Sequence, residues 1–216
     1  MTWPGTRITT LATFGESTTA GMCATTEAQR WANRFAELIG RFQQAPPQLI
    51  NSGLSASVVS PRSSCYDASH KPSAEERLDD AVISHKPDLV VIQYGLNDMR
   101  AGTPVGPFAE VVQDLIDRIR KGTDAAVMLG NVAHMTAYDG YAPFCAGSDE
   151  TNHIYNLAIA HLGAANRLPV ADVHGAMNHA DNLVHPDGVH PNDLGHEVIA
   201  QAFFTAWASA QGIATL

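Results

Sequence analysis

Short β-branched runs and helical periods alternate along this chain from one end to the other, and that alternation restricts the fold more than any other feature. The apolar runs lie in Ile8–Phe14, Gln48–Asn51, Leu89–Tyr94, Ala125–Gly130 and Pro169–Asp172. Between them apolar residues recur at helical spacing. Trp31, Phe35, Leu38 and Ile39 form one such period, with Gly40 as its stop, and Phe108, Val111, Val112, Leu115, Ile116 and Ile119 form another, closed by Gly122. Ser73-Ala74-Glu75-Glu76 is a capping-box pattern that opens a helix through His85. Further helices are expected over Glu150–Arg167 and from Asn192, the last with Val198, Ile199, Ala202, Phe203 and Trp207 inward. Strands alternating with helices give a parallel sheet covered on both faces. The expectation is one α/β domain over residues 1–216, three layers α/β/α, with a five-stranded parallel sheet in the flavodoxin-like order 2-1-3-4-5. That order sets strands one and three side by side.

Open α/β sheets collect their ligands at the carboxyl ends of the strands, so the residues just past each run are the ones to inspect. The first run ends in Gly15-Glu16-Ser17. A serine hydroxyl is a weak nucleophile unless a base, an orienting group and oxyanion donors accompany it. Asp187-Gly188-Val189-His190 offers the base and its orienter, because a glycine inside the tripeptide step lets the carboxylate fold back onto the imidazole Nδ1. Pro191 and the Asn192 cap pin that histidine where the last helix begins. Asn51-Ser52-Gly53 and Gly95-Leu96-Asn97-Asp98 each follow a strand pattern as well.

Ser17, Gly53, Asn97 and His190, in that order and spacing, resemble the SGNH hydrolase superfamily, also called GDSL esterases and lipases. The resemblance extends from about Thr9 to Pro191 and rests on four separate blocks. It implies Ser17 as nucleophile and backbone donor, Gly53 N–H and the Asn97 amide as oxyanion donors, and Asp187 and His190 as the rest of a triad. The chain departs from the family at Glu16, where an aspartate is usual. Asp98 reads as structural, since a carboxylate beside an oxyanion would oppose its charge.

The implied activity is that of a serine esterase working through an acyl-enzyme, on short-chain acyl or acetyl esters, including acetyl groups on carbohydrates. An acyltransferase or thioesterase would use the same triad, and a binding module would keep the fold without the activity. Two long loops, Ser55–Pro72 and Asn131–Asp149, are expected to wall the site, with Tyr138, Tyr141 and Phe144 of the second as substrate contacts.

Charge and cysteine usage exclude several other classes. Acidic residues outnumber basic ones 22 to 13, and no basic cluster interleaves with aromatics, so nucleic acid is not an expected partner. No apolar run approaches the roughly 20 residues of a membrane helix, and Met1–Arg7 lacks the pattern of a secretory signal. A cytoplasmic location is expected, or a secreted one had a leader been removed. Cys23, Cys65 and Cys145 show no metal-finger spacing and read as reduced, with Cys65 and Cys145 the pair for any disulfide. His174, His179, His185, Asp187, His190 and His196 crowd one span, but no His-x-x-x-His pair occurs, so neither a metal nor another cofactor is expected.

Overall fold

The computed structural model describes residues 7–213; Met1–Thr6, read above for a leader, and residues 214–216 lie outside it. Strand β1 (Thr10–Gly15) enters a one-turn helix α1 (Ser17–Ala20), and α2 (Trp31–Gln43) leads back to β2 (Gln48–Gly53). Next come a helical turn α3 (Tyr66–Ser69), α4 (Ala74–Ala81), β3 (Leu89–Gln93), α5 (Leu96–Arg100) and α6 (Val105–Gly122). The chain closes with β4 (Ala126–Gly130), α7 (Asp149–Asn166), β5 (Val170–Ala171), α8 (Val173–Met177) and α9 (Asp193–Ala210). All neighbouring strands pair in parallel, in the order β2-β1-β3-β4-β5, as the alternation predicts.

Each inner strand feeds both faces, as a two-residue side-chain period requires. Val90 and Ile92 of β3 join one apolar cluster with Ala12, Phe14, Leu78, Phe108, Leu115 and Ile159. Leu89 and Val91 join the other, with Leu11, Trp31, Phe35, Ile199 and Phe203. The six apolar positions read from the α6 period are all buried. On the opposite face the Trp31 and Phe203 rings stack with centroids 4.4 Å apart, locking α2 to α9. His196 of α9 strengthens that contact: its Nδ1 accepts the Trp31 N–H at 3.3 Å, and its Nε2 faces the Met22 carbonyl at 3.0 Å.

Element ends differ from expectation where a glycine serves packing rather than termination. Gly40 does not stop α2, which continues to Gln43 and is capped by a left-handed Gln44. A Cβ at Gly40 would lie 2.7 Å from Pro46 Cα, so this glycine admits the returning chain. The helix opened by the Ser73 capping box ends at Ala81 and continues to His85 only as a 3-10 turn. Strand β2 runs two residues past Asn51, and β5 is only two residues long.

Register positions the site. Gly15 pairs with Gly53 on one side and Gln93 on the other, so β1, β2 and β3 end level. Everything that follows those three residues emerges on one edge of the sheet.

Candidate active site

Ser17 is the first residue of α1 and is almost fully buried. Helix-opening N–H groups have no intrahelical acceptor, which leaves the Ser17 N–H free to donate. The α1 turn fits under the sheet edge only because Gly15 lacks a side chain: a Cβ there would sit 2.1 Å from Thr19 Oγ1.

The segment before α9 brings a carboxylate and an imidazole to Ser17. Asp187 Oδ1 accepts the N–H groups of Val189 and His190, at 2.9 and 3.0 Å, and closes a turn through Gly188, whose φ is +75°. Its Oδ2 faces His190 Nδ1 at 2.7 Å. An ionised carboxylate can only accept, so Nδ1 carries the proton and Nε2 keeps its lone pair. That Nε2 stands 2.9 Å from Ser17 Oγ, across 173 residues of sequence. The hydrogen bonds from the His190 backbone and ring and from the Val189 N–H outweigh desolvation and hold Asp187 well below the usual carboxylate range.

Two partners of this aspartate were not anticipated. Cys23, left-handed at φ +66°, directs its thiol to Asp187 Oδ2 at 3.3 Å, and burial together with that carboxylate pushes the thiol up to about 11. His185 Nδ1 lies 3.5 Å from the same oxygen and accepts the Asp187 N–H. No signal in the sequence tied Cys23 to Asp187, because a left-handed turn at a cysteine has no compositional mark.

Asn97 sits in the first turn of α5, buried, and one of its amide hydrogens is donated to the Ser57 carbonyl at 2.9 Å. Glu16 holds the start of that helix: its Oε1 accepts the Leu96 N–H at 2.8 Å and its Oε2 the Asn97 N–H at 3.1 Å. The longer acid thus bridges the end of β1 to the start of α5. Burial, then the nearby Asp98, pushes the Glu16 carboxyl up to about 8. Asp98, fully buried, accepts the Val59 N–H at 3.0 Å, and burial pushes it up to about 6.

Gly53 departs from its expected role. Its N–H donates to Asn51 Oδ1 at 3.0 Å, while Asn51 Nδ2 donates to the Thr19 carbonyl at 2.8 Å. A Cβ on Gly53 would lie 2.1 Å from Ala20 N, so the glycine is explained by the close approach of α1. On this loop Ala56 adopts φ +64° in a turn closed by Ser57 N–H to Leu54 O, and its own N–H, like those of Ser55 and Val58, has no partner among the described residues. Ala56 precedes Ser57, the residue to which Asn97 is bonded.

The loop after β4 touches the Asp187–His190 turn at its start, where the N–H groups of Thr136 and Ala137 both donate to the Gly188 carbonyl at 2.8 Å. Of the three expected substrate contacts, Phe144 is buried and Tyr138 donates its hydroxyl to Asp149. Tyr141 is half exposed, its ring 4.9 Å from the Arg100 guanidinium. All three cysteines are free.

A parallel sheet of this order, whose carboxyl edge gathers a hydroxyl, an imidazole and a carboxylate within hydrogen-bonding distance, has the layout of a hydrolase built on a three-layer α/β/α domain. The sequence assigns that hydrolase more narrowly. A model of the GDSL-like lipase/acylhydrolase family matches residues 13–198, so the chain belongs to that family of hydrolases acting on esters. The fold is similar to that of a lipase/acylhydrolase from Enterococcus faecalis (TM-score 0.72, 22% identity, covering 94% of this chain and 95% of that one). It is also similar to an α/β hydrolase enzyme from the metagenome of Lake Arreo, Spain (TM-score 0.70, 18% identity, 96% and 97% covered). A third similar fold is an acetylxylan esterase from Geobacillus stearothermophilus (TM-score 0.68, 18% identity, 92% and 93% covered). No curated protein matches the chain.

Proposed function

We propose that the protein is a serine esterase in which Ser17, His190 and Asp187 act as a triad on short acyl esters, acetyl groups on carbohydrates among them. The observation that carries this reading is the continuous relay from Asp187 Oδ2 through the His190 ring to Ser17 Oγ, at 2.7 and 2.9 Å. Ser17 Oγ attacks the ester carbonyl while His190 Nε2 takes its proton. The Ser17 and Ala56 N–H groups and the second amide hydrogen of Asn97 stabilise the oxyanion. His190 returns the proton to the departing alcohol, leaving an acyl-serine. Water then attacks that ester, giving its proton to Nε2, and collapse of the second oxyanion frees the acid and restores Ser17.

The preference for a short acyl group rests on how the loop over residues 131–149 is packed. Met135 and Phe144 point into the protein, which leaves Tyr141 as the open aromatic face. No long apolar channel follows from such an arrangement, whereas an exposed ring backed by Arg100, three residues beyond Asn97, suits a polar alcohol such as a sugar. The fold similarity to an acetylxylan esterase supports the same substrate class.

The test is kcat/KM on p-nitrophenyl esters from acetyl to dodecanoyl and on acetylated xylo-oligosaccharide, for wild type and Ser17→Ala. The expected outcome is a maximum at two to four acyl carbons and a loss of at least about 1,000-fold in the variant. Rates that climb steadily to dodecanoyl would refute the substrate class, and an active Ser17→Ala would refute the triad.

A further inference from the structure

Three histidines outside the triad meet where the segment after β4 approaches α8. His134 lies on that segment, His174 within α8 and His179 just past its end. One ring nitrogen of each lies within 4.8 Å of the others. The rings stand nearly perpendicular to one another, at 71–88°, with centroids 5.0–6.2 Å apart. Imidazoles gathered in this way either share protons and hydrogen bonds or share a cation. They make no hydrogen bond to each other.

Two observations point to a cation. His134 is 93% buried, and its Nε2 is held 3.0 Å from Asp181 Oδ1, so Nε2 carries the proton and the buried Nδ1 presents a lone pair that no donor meets. His174 Nε2 is likewise buried without a partner. A ring nitrogen freed in this way, with its opposite nitrogen on a carboxylate, is the arrangement that metal-ligating histidines adopt.

We infer that His134, His174 and His179 bind a zinc ion, with a water as fourth ligand and Asp181 orienting His134 from behind. Three neutral imidazoles suit zinc, whose tetrahedral shell with Zn–N of about 2.0–2.1 Å draws the nitrogens closer than they stand without the ion. The ion would fasten the segment carrying Thr136 and Ala137, which bonds the Gly188 carbonyl, to α8. Its role is to stiffen the wall behind the Asp187–His190 turn, not to take part in the acyl transfer. A second cluster, Cys23, His185 and Asp187, competes poorly, since its thiol stays protonated and its carboxylate is already bonded to His190.

The test is equilibrium dialysis of EDTA-treated protein against ZnCl2 with elemental analysis, alongside thermal melts. Wild type is expected to take up one zinc per chain and to gain about 5–10 °C in Tm at a hundredfold excess over Kd. His179→Ala removes an exposed side chain, so its metal-free Tm should match wild type while zinc affinity falls on the order of 100-fold. Asp181→Asn should weaken binding about tenfold. The double variant Cys23→Ala/His185→Ala should bind as wild type does. No uptake by wild type, wild-type affinity in His179→Ala, or loss of zinc in the double variant would each overturn the assignment.

Discussion

Asn97 is fixed from two sides, its backbone N–H by Glu16 and one amide hydrogen by the Ser57 carbonyl, so its remaining hydrogen has a set direction. Asn97→Ala should therefore lower kcat by about 100-fold or more with little change in KM, read from steady-state kinetics on an acetyl ester. Glu16 carries a pH signature. Its carboxyl titrates near 8 when folded and near 4.5 when unfolded, so between those values the unfolded chain has released a proton that the folded chain retains. Stability from this group is complete below pH 4.5, declines as pH rises and levels off above 8. Urea titrations should show that decline in wild type and its flattening in Glu16→Gln. Ser17, Asn97, Asp187 and His190 were legible in the sequence because the roles proposed for them belong to side chains, whose types and spacing leave a mark. Ala56 was not, because a backbone N–H exposed by a left-handed turn has no mark in the sequence, while the Gly53 N–H, expected as an oxyanion donor, is bonded to Asn51 Oδ1.

The ends of β1, β2 and β3 act as one unit, since Asn51, two residues before the end of β2, bonds to α1, and Glu16, just past β1, bonds to α5. Gly53→Ala tests this coupling. Its Cβ would press on the Ala20 backbone, which cannot retreat without moving Ser17, so the variant should lose about 1–3 kcal/mol in urea unfolding and most of its activity. Element identities were readable because α6 keeps its apolar period for its whole length, and β3 and β4 carry runs of four apolar residues. Their limits were less so. Gly40 and the continuation of β2 to Gly53 depend on what packs against them, which local spacing does not contain.

At the scale of the molecule, the parallel sheet separates two apolar clusters, and each inner strand contributes to both. The shared strands couple the two clusters. Tryptophan fluorescence, which Trp31 and Trp207 report from one face, should therefore lose its native signal at the same urea concentration as far-UV circular dichroism. The order β2-β1-β3 followed from the alternation, and it is what brings the two ends of the chain together at Ser17 and His190. His174 and His179 stand in the histidine-rich span of the sequence, but His134 lies 40 positions before His174 on another segment, and only the fold brings it to them. On the proposed reading, this long-range junction activates one serine among many. Fluorophosphonate labelling with the adduct mapped by mass spectrometry tests it most directly. A single adduct on Ser17 is expected, with none in Ser17→Ala and labelling slowed by about 100-fold or more in His190→Ala. An unlabelled wild-type protein, or an adduct on another serine that persists in Ser17→Ala, would contradict it.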